Sequence, residues 1–410
     1  MKLVFTCHLR VESRYSNILD EISDHASRFY NMTLYEQRNG NFLSLNDYYY
    51  IFRDHPRCKQ LQMHTYSQAI KQAIKDMKSY SALKKKYDKN PDKYKKPGLP
   101  RYKSGNHLLL PTFMKTGIRH RNGQVLLSLG KQMKADKKVK EIVIDLPEQV
   151  DHFLSDKRLK MITLKAVGRV YECRFVYEFD EKEARTWGDY MSIDLGVNNL
   201  AAITYLNSCS QYLIDGKGLK SKLSYYNKVI STAYSKEMKT RGSKDFRLTK
   251  KIKKLMRKRA GFVDYYIHKA SRTIVDLAIE KGVQTLVVGD FKYIKNKNRM
   301  KYFVSIPHGR LIQQISYKCK LEGIGFVLVN ESYTSGVSSL DLEEVNTDCY
   351  DVSRRLSRGL FTTKYGYINA DINGSLNILR KYLKDNQIPR LVDQVRVKGF
   401  RENPKRLFIV

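Results

Sequence analysis

No Cys-x-x-Cys pair occurs in these 410 residues; the six cysteines, Cys7, Cys58, Cys173, Cys209, Cys319 and Cys349, lie far apart. Such spacing argues against a zinc finger or a disulfide framework and suits reduced thiols in a cytosol. No run approaches the roughly 20 apolar residues that a membrane span needs. Met1 to Leu9 is briefly apolar, but Arg10, Glu12 and Arg14 interrupt it at once, so a first strand is expected rather than a signal peptide. A soluble, cytoplasmic protein is expected, nucleoid-associated or phage-encoded. Internal repeats and low-complexity linkers are absent as well. Acid is scarce: 41 Asp plus Glu stand against 76 Lys plus Arg, a formal net charge of +35. An excess of that size repels itself in a compact fold unless a polyanion neutralises it. Nucleic acid is the obvious polyanion, since each contacted phosphate releases counterions.

What is present is enough apolar material for two or three domains: 42% hydrophobic and 11% aromatic residues. Tyr15, Ile18, Ile22, Ala26 and Phe29 recur at helical spacing, as do Tyr66, Ile70, Ile74, Met77, Tyr80 and Leu83. Both stripes are expected in the core. Basic and aromatic residues then interleave in Lys84-Lys85-Lys86-Tyr87 and Lys93-Tyr94-Lys95-Lys96, a texture that suits phosphate tracking and base stacking. Past Pro97-Gly98 and Pro100 the texture turns to strands. Asn122-Gly123 sits between alternating segments as a type I′ hairpin signal. Residues 98–185 read as a small antiparallel barrel or sheet, with the helical region inserted after its first strand.

From Met191 strands alternate with helices, which implies a partly parallel α/β sheet. Between Lys217 and Arg259 there are 16 Lys or Arg and two acids, Glu237 and Asp245. A helix is expected over Asp264–Lys281, a strand over Thr285–Val288, a helix over Gly309–Glu322 and a strand over Gly325–Val329. An irregular segment follows, and a last helix begins near Asp371.

Two motifs carry chemistry. In Ser192-Ile193-Asp194-Leu195-Gly196-Val197-Asn198-Asn199, an acid interrupts an apolar strand, where burial is costly without a partner. It reads as a carboxylate presented from the first hairpin of an RNase H-like sheet. In Asn369-Ala370-Asp371-Ile372-Asn373, Asp371 opens a helix, and alone it could be only a cap. Paired with Asp194 it can hold two divalent cations that activate water for phosphodiester cleavage. Hard oxygen ligands favour Mg²⁺, with Mn²⁺ as a substitute.

These motifs, with Tyr333-Thr334-Ser335 between them, occur in the same order in TnpB proteins, and the sequence resembles that family. Leu99-Pro100-Arg101-Tyr102, His268-Lys269-Ala270-Ser271 and the run from Phe303 through Ile306-Pro307-His308-Gly309-Arg310 support the resemblance. It covers essentially the whole chain, specifically in the C-terminal half and loosely in the first 90 or so residues. TnpB proteins are transposon-encoded, RNA-guided DNA endonucleases related to type V CRISPR effectors. The resemblance implies a RuvC nuclease domain over 186–410, with a basic helical insertion at 217–260. It implies an oligonucleotide-binding-like wedge over 1–12 and 98–185, and a helical recognition domain over 13–97. It also implies guide RNA and double-stranded target DNA as partners, and a short target-adjacent motif. Contacts to nucleic acid are expected from Lys84, Lys85, Lys86, Tyr87, Lys95, Lys96, Arg101, Lys250, Lys251, Lys253, Lys254, Arg257 and Arg310.

The sequence departs from the family pattern twice. The zinc ribbon that precedes the last Asp is degenerate here, over 333–367. Val337, Ser338 and Leu340 stand where the first Cys pair would fall and Cys349 is the only thiol, so no zinc is expected. Second, the strand that usually ends in the middle catalytic Glu reads Leu286-Val287-Val288-Gly289-Asp290. Asp290 should point away if Gly289 points at the metals. Glu331 follows the strand Phe326–Val329, which should lie beside the strand ending at Gly289, and glycine there leaves room for it. Some relatives carry a relocated Glu of this kind. The expected catalytic and metal set is therefore Asp194, Glu331 and Asp371. An RNA-guided, nuclease-dead repressor would explain the missing Glu but not the retained aspartates. A guide-free resolvase or transposase would leave the N-terminal helices and the wedge unexplained.

Overall fold

The computed structural model describes residues 1–168, 170–206, 211–242, 248–290, 306–384 and 404–409. Cys209, Asp245 and the Phe303-Val304-Ser305 part of the supporting motif lie outside them. The chain separates into two compact units, Met1–Asp180 and Glu181–Val410. Sequence texture puts this boundary five residues later, after Arg185. Backbone hydrogen bonds explain the difference: Lys182 N donates to Lys320 O and Arg185 N to Gly323 O, which ties this stretch to the second unit.

In the first unit, β1 (Lys2–Leu9) pairs antiparallel with β7 (Val170–Glu178), Phe5 opposite Phe175. The sheet continues through β6 (Arg158–Val167) to β2 (Thr112–Met114). A second sheet holds β3 (Ile118–Arg121), β4 (Gln124–Ser128) and β5 (Glu141–Asp145). Asn122 and Gly123 join β3 to β4 with φ of 50° and 71°, the left-handed pair that a type I′ turn requires. Two separate ladders thus stand where a single small barrel or sheet is expected.

Between β1 and β2 run α1 (Ser13–Arg38), α2 (Leu45–Phe52), α3 (Pro56–Gln60) and α4 (Met63–Lys89). Their apolar stripes share one core with both sheets: Tyr15, Phe29 and Tyr66 pack with Phe113, Leu127, Ile162 and Phe175. The helices therefore bury their stripes partly against the strands, while Tyr30, Leu34, Ala73 and Met77 close a small core between α1 and α4. Leu83, expected in that core, is 55% exposed, because α4 outruns its packing partners. Two short helices that periodicity did not flag, α5 (Lys131–Lys137) and α6 (Glu148–Ser155), complete the unit.

The second unit is built on β8 (Asp189–Leu195), β9 (Asn199–Tyr205), β10 (Gln211–Asp215), β11 (Val283–Asp290), β12 (Gly325–Asn330) and β15 (Lys405–Leu407). Their order is β12-β11-β8-β9-β10-β15. β8, β9 and β10 meander antiparallel, while β11 runs parallel to both β8 and β12. This is the arrangement of an RNase H-like sheet. α7 (Lys217–Arg241) and α8 (Lys250–Glu280) carry the basic stretch. α8 runs unbroken across Gly261, which a helix interior tolerates, and so begins well before Asp264. α8 and α9 (His308–Glu322) cover one face of the sheet, burying Ile193, Val288, Ile267 and Ile315. α10 (Ala370–Leu383) covers the other, burying Ala202, Val287, Ile372 and Leu376. The segment expected to be irregular contains a hairpin, β13 (Leu360–Thr363) with β14 (Gly366–Asn369). Among the described residues no helix is long and apolar enough to cross a membrane.

Candidate active site

Alternation along β8 sends Ile193 and Leu195 into the core under α8 and leaves Ser192 and Asp194 facing α10. The two elements are bolted together. Ser192 Oγ donates to Ser375 O at 2.8 Å, and Ser375 Oγ donates to Ser192 O at 3.1 Å. Gly374 permits this approach, since a Cβ there would lie 2.6 Å from Asp194 Oδ2. At the start of α10 the cap is Asn369, not Asp371. The Asn369 side-chain oxygen accepts from the backbone N–H of Asp371 and Ile372 at 3.1 and 3.2 Å. That leaves the Asp371 carboxylate for other partners: Asn199 Nδ2 donates to it at 2.7 Å and Arg355 Nη2 at 3.3 Å.

β11 and β12 are parallel neighbours, with Gly289 opposite Val329 and Asp290 opposite Asn330. Val287 belongs to the core under α10, whereas Leu286 and Val288 belong to the other. Gly289 therefore faces α10 and Asp290 the opposite side. Glu331 lies one residue past β12 and is 8% exposed. Its Oε2 occupies the space above Gly289: a Cβ at position 289 would lie 2.6 Å from it.

The carboxylates feel one another. Burial holds the Asp194 carboxyl well above the usual range, and Glu331 and Asp371 push it further while Arg355 opposes them. Burial, then the nearby Asp290, pushes Glu331 up to about 7, with Lys381 opposing. Glu331 Oε2 is buried and accepts no hydrogen bond. Buried acids with raised proton affinity, one oxygen unpartnered, form a donor set that fits a hard cation. Among the described residues no three His, Cys, Asp or Glu side chains yet stand at metal-holding distance, and Asp371 is turned toward Asn199 and Arg355.

Lys84, Lys85 and Lys86 are exposed at the end of α4, where Tyr87 is half-buried. Lys95, Lys96 and Arg101 are exposed on the connection to β2. Lys250, Lys251, Lys253, Lys254 and Arg257 are exposed on the N-terminal part of α8, in the other unit. Arg310 is ion-paired with Asp264. Sequence reasoning missed Asn199, Arg355 and Lys381. Asn199 sat inside the quoted Asp194 motif. Arg355 and Lys381 left no local signal.

The sheet order, and carboxylates converging from a central strand, a turn and a helix start, define an RNase H-like α/β protein with an acidic site. A family model described as a probable transposase (OrfB of the IS605 type) matches residues 174–295. A second, the Cas12f1-like TNB domain, matches 308–378. The chain is 26% identical over 238 residues to a CRISPR-associated endodeoxyribonuclease Cas12f2 from a Micrarchaeota archaeon, covering 53% of this chain and 41% of that protein. It is 28% identical over 197 residues to Cas12f1 of Sulfoacidibacillus thermotolerans, covering 46% and 44%. The matches thus span less than half the length of these relatives. A Cas12f1–sgRNA–target DNA complex superposes with a TM-score of 0.64 at 16% identity, covering 92% of this chain and 98% of that one. The mini-RNA-guided endonuclease CRISPR-Cas phi3 superposes with a TM-score of 0.50 at 11% identity, covering 93% and 92%. In its second unit the chain is thus similar to TnpB-type transposase and Cas12f-type proteins.

Proposed function

We propose that the chain is an RNA-guided DNA endonuclease that cuts target DNA beside a short target-adjacent motif, with Asp194, Glu331 and Asp371 as its catalytic carboxylates. The observation that carries this reading is the Glu331 oxygen, buried without a hydrogen-bond partner in the space above Gly289. The curated relatives are named as endodeoxyribonucleases, and a solved relative is titled as a complex with guide RNA and target DNA. A net charge of +35 gives this chain the same use for two polyanions. Base pairing with the guide would supply sequence specificity, leaving the protein to read heteroduplex shape and a short duplex motif.

In this reading Asp194, Glu331 and Asp371 would hold two Mg²⁺ ions, which Mn²⁺ can replace. Bound there, the ions would supply an activated water and neutralise charge on the phosphate. The protein's own part is to hold Asp194 and Glu331 in a desolvated setting, where bare carboxylate charge is costly and a bound cation would offset it. Asn199 orients the Asp371 carboxylate by its hydrogen bond, and Gly374 and Gly289 leave the acids room. No zinc is assigned to residues 333–367. Arg354 holds that segment instead, bonding Asp341 at 2.5 Å and Glu343 at 2.6 Å. A second reading, a guided binder without cleavage, is favoured by the Asp371 carboxylate being engaged by Arg355.

Cleavage by guide-loaded protein, with target binding measured alongside, tests the assignment. Asp194→Ala, Asp371→Ala and Glu331→Gln should each cut on the order of 10³-fold more slowly, as for loss of a positioned catalytic group, with binding unchanged. Asp290→Asn should keep most activity. Normal cutting by Glu331→Gln with loss in Asp290→Asn moves the middle acid to Asp290. A wild type that binds its target and never cuts makes the chain a binder.

A further inference from the structure

α10 does more than carry Asp371. One of its faces presents Asn373, Asn377, Arg380 and Lys381, of which the first three are essentially fully buried. Buried amides and guanidinium groups need partners. Each finds one in a single short segment, residues 330–339. Asn373 Nδ2 donates to Val337 O at 2.8 Å, and its Oδ1 accepts from Ser339 N and Oγ. Asn377 Nδ2 donates to Thr334 O and Val337 O at 2.9 and 2.8 Å. Arg380 Nη1 donates to Ser338 O at 3.5 Å and, within α10, to Asn377 Oδ1 at 3.0 Å. Lys381 Nζ donates to Asn330 O at 3.1 Å and to Ser332 O at 2.7 Å, the carbonyls on either side of Glu331.

Past Asn330, the last residue of β12, the segment so held forms turns with neither helix nor strand ladder. Tyr333, within it, has φ of 69°, a left-handed conformation that an aromatic residue keeps only when its surroundings impose it. Glu331 Oε2 itself accepts no hydrogen bond. The place of the carboxylate therefore follows from its backbone, and the backbone is fixed by α10.

We infer that Lys381 is a positioning residue for Glu331, clasping the peptide on both sides of it so that an acid outside the sheet stands where a strand-borne acid would otherwise be. The inference rests on Glu331 being the middle catalytic carboxylate. It makes one helix responsible for two of the three acids, Asp371 through the chain and Glu331 through the clasp.

Guide-loaded Lys381→Met should lose about 10–100-fold in the rate of cutting at saturating target, the usual cost of losing a ligand's support. Target affinity should not change. Mn²⁺ binding to the metal-free protein, followed by electron paramagnetic resonance of the free ion, should weaken by a similar factor. Lys381→Arg, whose guanidinium can also span two carbonyls, should restore both readouts. In a Glu331→Gln background, Lys381→Met should cause no further loss of Mn²⁺ affinity, and a further loss there overturns the positioning role. Should Lys381→Met not fold, Lys381→Gln, with one donor amide, is measured in its place against the same expectations. If Glu331→Gln cuts normally, the Glu331 assignment falls and the clasp with it. If Glu331→Gln is dead while the Lys381 variant cuts and binds Mn²⁺ like wild type, only the clasp falls.

Discussion

Asp194 and Glu331 meet at one site, but the chain holds them in opposite ways. Asp194 lies within β8, and strand alternation alone aims it at α10. Glu331 lies past the end of β12, in a turn whose carbonyls are bound by Asn377 and Lys381 from the far end of the sequence. One acid is placed by local geometry, the other by a tertiary network. On the proposed assignment, the comparison teaches how a middle acid could change its place in the sequence without leaving the site. What matters is the space above Gly289, and either a side chain at 289 or one on the neighbouring strand end can fill it.

The sharpest way to break that comparison is to move the acid back. Gly289→Glu alone would drive its Cβ against Glu331 Oε2 and to within 2.9 Å of Ile378 Cδ1, so cutting and stability should both fall. Glu331→Ala alone should also be inactive. Combined, the two changes put one acid into one space, and cleavage should exceed either single variant by about tenfold or more, the non-additivity expected of contacting sites. A double variant as dead as its parents would mean that the two positions are not interchangeable.

A smaller effect is expected where a second network replaces local order. Arg354 bonds Asp341, whose side chain is fully buried, and Glu343, and its guanidinium lies 5.4 Å from the Phe361 ring centre. Arg354→Met strands buried carboxylate charge and should cost about 3 kcal/mol of stability in denaturant unfolding. Wild-type stability should not respond to a zinc chelator. A chelator-sensitive wild type with a stable Arg354→Met variant would show that a metal holds residues 333–367.

The smallest effect is on pH dependence. Glu331 is pushed up to about 7 in the fold, above its unfolded value of 4.5, and Asp194 is raised as well. The folded state therefore binds more protons, and its stability declines as pH rises through the window from about 4.5 to 7. Unfolding of the metal-free protein at several pH values should show that decline, shallower in Glu331→Gln. A slope unchanged by the substitution would place the titrating group elsewhere.

The acids on regular elements were legible because their signals are local. Asp194 interrupts an apolar strand, and Asp371 follows Asn369 at a helix start, although the cap itself proved to be Asn369. The adjacency of β11 and β12 was expected from the RNase H-like sheet and is observed, which is how Glu331 came into view. The stretch 217–260 was legible as charge but not as shape, since α8 crosses Gly261 without a break. Residues 13–97 were legible as helices, yet their stripes pack partly on one another and partly on strands far along the chain. Amphipathic periodicity tells which face is buried and never against what.

By itself, then, the sequence determined the charge that calls for a polyanion, the strand–helix alternation of the second unit, and the residue types of the site. Only the tertiary structure decided that the Glu331 oxygen stands over Gly289, that Arg355 and Asn199 hold Asp371, and that Lys381 spans the peptides around Glu331. The physical reason is range. Strand alternation and helix caps act within four residues, whereas hydrogen bonds between a turn and a distant helix exist only after the sheet has brought them together.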